Sequence, residues 1–139
     1  LYDNTRYLGN SNQRWVSLWA SDGTINTSDA RLKTDVKPLH HGLDDLMQLR
    51  PVSYLWKNGH EGDSRRIGFL AQELQTVLPE VVRDREFVVT DEKTGEGSWR
   101  PTERLGVAYS EIIPVTVVAI QEQQQQIEAL QQQVTELER

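Results

Sequence analysis

The chain has 139 residues, a formal charge of -6 and no cysteine, which excludes disulfides and thiolate metal sites. Its acidic balance, with a pI near 5.0, opposes a nucleic-acid interface, which needs a clustered basic face, and no apolar run reaches the ~18 residues that would span a membrane. One compact domain plus an extension suits this length, while 37% hydrophobic residues and a mean hydropathy of -0.61 are low for a self-sufficient globule and predict a core completed partly by other chains.

Residues 1–27 read as strands and turns. Trp15, Ser17 and Trp19 alternate with Val16, Leu18 and Ala20, the period-2 pattern of a strand, and Asp22-Gly23 marks a tight turn. So short a stretch cannot bury two tryptophans alone. It is either a terminal strand pair on the main domain or the end of a β-rich stalk. The chain opens on Leu1 with neither an initiator Met nor a signal peptide, which predicts the C-terminal piece of something longer.

Residues 28–108 read as mixed α+β. Leu39, Leu43, Leu46 and Met47 recur at helical spacing, and the helix should stop before Arg50-Pro51, because the residue preceding proline is pushed out of the α region. Val52–Trp56 then reads as a strand, 58–64 as a polar glycine-rich loop, and Ile67–Leu70 as a short apolar strand. Ala71 to Leu78 reads as a helix stopped by Pro79. Val81-Val82 and Phe87–Thr90 look like separate strands, and Asp91 through Glu103, carrying Trp99, like a polar hairpin or projecting loop.

The tail, 109–139, reads as one long helix. Ser110 can cap it, and Pro114 lies close enough to its start to be tolerated. Ile113, Ile120, Ile127 and Val134 recur every seven residues, with Thr116, Gln123, Leu130 and Leu137 three further on. That is a coiled-coil seam with β-branched residues at each a position. Ile at a with Leu at d favours dimers, so the heptads do not themselves specify a trimer. The glutamine runs 123–126 and 131–133 suggest low complexity by composition, but the apolar seven-residue spacing persists through them.

Chemistry is suggested at Ser28-Asp29-Ala30-Arg31-Leu32-Lys33, where a serine nucleophile lies five positions before a lysine base. Ser–Lys pairs are a recognised variant of the hydrolytic triad. A lysine working as a base near pH 7 must be brought down from its ordinary pKa of about 10.4, against about 4 kcal/mol favouring its charged form. Burial among apolar groups can supply that much, whereas exposure on a single chain cannot. The competing reading is structural: Asn26, Thr27, Ser28 and Asp29 are all good caps or turn formers, and Lys33 could be an ordinary surface lysine. His40-His41 carries no metal pattern, since adjacent histidines are expected to point apart. His60, Glu61 and Asp63 read as solvation of a glycine loop, and Gln72 and Glu73 as partners of backbone and charge within the fold.

Five segments in order carry a resemblance: Ser28–Lys33, Leu49–Tyr54, Ile67–Leu74, Leu78–Val82 and Tyr109–Pro114. Together they resemble the C-terminal intramolecular chaperone and auto-processing domain of endosialidase-type phage tailspikes and tail fibres, found also in myelin regulatory factors. The resemblance implies a homotrimer that helps an upstream fibre domain of the same chain to fold and releases itself at Thr27-Ser28, with Ser28 as nucleophile and Lys33 as base. It implies no cofactor, no metal, no nucleic acid and no membrane, and a parent protein in a virion tail made in the host bacterial cytoplasm. Its expected divisions are 1–27 as the end of the stalk, 28–108 as the chaperone domain and 109–139 as a parallel coiled-coil helix. A permanent trimerisation tip that never cuts is the alternative. A membrane-release module of a DNA-binding regulator is disfavoured by a tail that reaches Arg139 without a hydrophobic helix.

Overall fold

Prolines set three of the element ends. Pro51 separates the first helix from the first strand, Pro79 opens a 3-10 turn after the second helix, and Pro114 sits in the first turn of the last helix, where a missing N–H costs little. The computed structural model describes residues 8–10, 12–15, 17–21, 23, 25–57, 63–91 and 93–139. In chain order the elements are a 3-10 turn at Ala30–Leu32, α1 (Leu43–Gln48), β1 (Val52–Tyr54), β2 (Arg66–Gly68) and α2 (Ala71–Val77). A 3-10 turn at Pro79–Val81 then leads to β3 (Val82–Val89), β4 (Gly97–Val107), a 3-10 turn at Tyr109–Glu111 and α3 (Ile112–Leu137). The protein is a mixed helix-and-sheet fold ending in a long C-terminal helix.

The strands form two antiparallel pairs. In the first, Val52 faces Gly68 and Tyr54 faces Arg66. In the second, Val82 faces Val107 and Val89 faces Gly97, with an irregularity between Arg83 and Arg85. Leu74, Leu78, Val81, Val82 and Val115 form the buried core, with Leu49, Phe69, Leu105, Val107 and Ile112 packed around it. Two longer-range ties close this core. The Ala108 N–H donates to the Val81 carbonyl at 2.8 Å, and the Phe69 N–H donates to the Tyr109 hydroxyl at 3.1 Å. A Cβ on Gly68 would collide with that same hydroxyl, so the close approach of β2 to Tyr109 requires glycine.

Helix α1 is held from a distance. Its Leu43 N–H donates to the Glu122 carboxylate of α3 at 2.6 Å, which satisfies one of the free donors at a helix start. The helix begins at Leu43, not near Leu39, which lies in the irregular stretch after Pro38. Other expectations also shift. The strand expected at Val52–Trp56 ends at Tyr54, the one expected at Ile67–Leu70 is Arg66–Gly68, and the two short strands around 81–90 are a single β3. Gly97–Glu103, expected within a polar loop, is the first part of β4. Because Pro101 and many polar side chains interrupt its alternation, only pairing with β3 makes it a strand.

The described residues from Leu8 to Thr27 form no strand. Trp15, Leu18 and Trp19 are 65%, 68% and 94% exposed. A strand needs a ladder partner for its backbone groups, and none from this chain pairs with these described residues. Val16 and Asp22, which the sequence reading used there, lie outside the described residues, as do His60 and Glu61 of the glycine loop.

Candidate active site

The geometry around Ser28 follows from one tight turn. Asp29 caps the 3-10 turn Ala30–Leu32, its carboxylate accepting from the Arg31 N–H at 2.9 Å. The Leu32 N–H returns to the Asp29 carbonyl and the Lys33 N–H to the Ala30 carbonyl, both at 3.1 Å. This turn shortens the path between positions 28 and 33. The Lys33 ammonium nitrogen consequently lies 2.7 Å from the Ser28 Oγ and donates to it. The structure thus brings together the two residues singled out from the sequence, within one chain. Both are exposed, as is Thr27.

Asp29 and Arg31 are the neighbours that sequence reasoning left without a role in the chemistry. The Arg31 guanidinium grips the Asp29 carboxylate in a fork, with Nη2–Oδ2 at 2.6 Å and Nε at 3.1 Å from each oxygen. That side-chain contact, followed by the Arg31 backbone N–H, holds the Asp29 carboxyl below its ordinary range, and the same pairing raises the Arg31 guanidinium. The Asp29 carboxylate is therefore engaged by Arg31, as that of Asp35 is by Lys37 at 2.9 Å, and Lys33 points to the serine. An Asp two residues before an Arg, at a cap position, is the signal for this fork.

A second polar cluster lies at the start of α1. His41 Nδ1 is 2.9 Å from an Asp45 oxygen and its Nε2 is 3.4 Å from a Glu80 oxygen. The Asp45 contact, ahead of the Glu80 ones, raises the His41 pKa despite its burial. Asp45 is lowered in return, and Glu80 is lowered chiefly by its own backbone N–H. The expectation that His40 and His41 point apart is corrected, because their rings lie side by side with centroids 4.5 Å apart. They sit in irregular backbone before the helix, where neither helical nor strand geometry separates successive side chains. Glu73 does partner charge within the fold. It pairs with Arg50, whose Nε is 3.0 Å from one of its oxygens and whose Nη2 meets the other.

Residues 28–83 match the model of a family described as "Chaperone of endosialidase", named Peptidase_S74. The likeness to that family covers less than half of the chain. Its match starts at Ser28, takes in the Ser28–Lys33 turn, and runs through α2 into β3. The chain is 35% identical over 85 residues to "Myelin regulatory factor homolog 1" of Caenorhabditis elegans, covering 54% of this chain and 9% of that protein. It is 43% identical over 61 residues to "Long tail fiber protein Gp37" of Enterobacteria phage K3, covering 42% of this chain and 5% of that protein. Gp37 of Enterobacteria phage T2 matches with the same identity and length, over 4% of its own sequence. The chain thus spans less than a tenth of each of these relatives. The description of that family names a chaperone and its name a peptidase, over a likeness confined to residues 28–83.

Proposed function

We propose that this chain is an intramolecular chaperone. In this reading it assembles as a homotrimer, promotes folding of an upstream tail fibre or tailspike domain, and then cuts its own Thr27-Ser28 bond. The observation that carries the proposal is the 2.7 Å contact between Lys33 Nζ and Ser28 Oγ, at the first residue of the family match. The tail-fibre relatives supply the context: a virion tail as the destination of the parent protein, made in the host bacterial cytoplasm. On this reading 1–27 is the end of the upstream stalk, 28–108 the chaperone domain and 109–139 the coiled-coil helix.

The chemistry follows from the residues. Lys33, in its uncharged form, takes the proton of the Ser28 hydroxyl as Oγ attacks the carbonyl carbon of Thr27. The C–O bond forms, the Thr27–Ser28 C–N bond breaks, and Lys33 returns the proton to the departing Ser28 nitrogen. The resulting ester between the Thr27 carbonyl and Ser28 Oγ is hydrolysed by water, leaving a Thr27 carboxylate and a restored serine. Groups held within one molecule reach effective molarities of order 10⁵–10⁸ M, so a single-turnover dyad needs little further apparatus.

Assembly supplies what the isolated chain lacks. Packed neighbouring chains would remove water from around Lys33, and desolvation favours the neutral form of a lysine. Support for assembly comes from α3, whose Ile113, Ile120, Ile127 and Val134 are 62%, 59%, 43% and 53% exposed. The helix turns Val115 and Ala119 into its own domain, leaving the heptad seam for other chains. The test uses a longer chain in which the natural upstream fibre precedes residue 28. Deleting 28–139 should abolish soluble trimeric fibre, whereas Ser28→Ala should give folded trimers that retain the domain. Normal fibre trimers without 28–139 would remove the chaperone role.

A further inference from the structure

We propose that His40, His41 and Glu80 form a binding site for a divalent transition cation of the zinc class, with Asp45 orienting His41. One imidazole nitrogen from each histidine and one Glu80 oxygen all lie within 4.8 Å of one another. Two imidazoles and a carboxylate are a donor set that zinc takes readily, with a fourth position left for water.

Two geometric features support the assignment. Ligand atoms about 2.0–2.1 Å from a tetrahedral zinc stand roughly 3.3–3.4 Å apart, and His41 Nε2 lies 3.4 Å from Glu80 Oε1. The other ring nitrogen, Nδ1, is 2.9 Å from Asp45 Oδ2. A carboxylate accepting from the remote ring N–H is the usual arrangement behind a metal-bound histidine, fixing the tautomer and raising its donor strength. With Nδ1–H given to Asp45, the Nε2 lone pair faces a carboxylate oxygen. A cation seated between these two atoms has a use for a second imidazole, and the His40 ring stands 4.5 Å from that of His41.

The site joins two parts of the fold. His40 and His41 end the irregular stretch that follows Lys33, and Glu80 lies in the turn between α2 and β3. A bound cation would anchor that stretch to the core. This role is independent of the cleavage chemistry.

The experiment is calorimetric titration of the full chain, freed of any polyhistidine tag, with zinc chloride. Cobalt(II) titration read by visible absorption runs beside it. One zinc per chain is expected, together with the intense visible bands of tetrahedral cobalt and a rise in Tm with zinc. His40→Ala and Glu80→Gln should each weaken binding by at least about ten-fold, and Asp45→Asn by about 10- to 100-fold. Metal-free melting curves establish that each variant is folded. A chain that takes up no zinc overturns the site, and so does a folded His40→Ala variant that binds zinc as tightly as the unchanged chain.

Discussion

Replacing Ile120 and Ile127 together with Asp should dissolve the assembly while leaving each chain folded. Both side chains lie on the exposed seam of α3, at 59% and 43% exposure, away from the buried Val115 and Ala119 that anchor the helix. Full burial of an isoleucine stabilises by about 1.5–3 kcal/mol. Covering the exposed half of each therefore contributes about 0.75–1.5 kcal/mol per side chain, or roughly 4.5–9 kcal/mol over the three chains of the proposed trimer. The aspartates remove this gain and set like charges against each other in the seam. At ~1.4 kcal/mol per ten-fold, the association constant should fall by at least about three orders of magnitude. Sedimentation velocity should show monomers, and thermal melting should show a retained fold. Cleavage, followed by intact mass on the same samples, should stop because Lys33 stays in water. A monomeric variant that still cuts at the wild-type rate would refute the coupling of assembly to catalysis.

Three further outcomes test the fold beneath the site. Leu74→Ala opens a cavity at a side chain only 2% exposed and should cost about 2–5 kcal/mol in urea unfolding; a loss below 1 kcal/mol would mean that the core is not where it is described. Gly68→Ala drives a methyl group into the Tyr109 hydroxyl and should destabilise by about 1–3 kcal/mol, with partial relief when combined with Tyr109→Phe; no change in Tm would contradict that contact. The Arg50 hydrogen bond lowers the Glu73 pKa, so this pair's stabilisation is present above the ordinary glutamate value and is lost as pH falls through the lowered folded value. Arg50→Gln should remove that part of the acid dependence in melts taken across the carboxylate range, and an unchanged profile would show that the pair contributes nothing.

The readable parts of the fold were those governed by local rules. Helix α2 was expected at Ala71 to Leu78 and is found at Ala71–Val77, because proline ends it and an apolar stripe defines it. The long helix α3 was legible from its seven-residue spacing. The Ser28–Lys33 pairing came from the resemblance and not from the spacing, and the capping residue Asp29, part of the competing structural reading, starts the turn that brings the two side chains together. What escaped depends on distant partners. Helix α1 starts where Glu122, 79 residues away, accepts from Leu43. The first part of strand β4, Gly97–Glu103, carries Trp99 as its one large apolar side chain, and its pattern names no buried side until β3 lies beside it. The cluster at His41 needs Glu80, 39 residues further on. No spacing rule relates these positions in the sequence.

The central claim is that Ser28, assisted by Lys33, cuts the bond before it. Its most direct measurement is the intact mass of the assembled chain with residues 1–27 attached, taken over time for the unchanged protein and for Ser28→Ala and Lys33→Ala. The unchanged protein should convert to a fragment beginning at Ser28 and a second ending at Thr27, while both variants stay whole and trimeric. Cleavage between Thr27 and Ser28 in the Ser28→Ala variant would contradict the claim, as would an unchanged trimer that remains uncut.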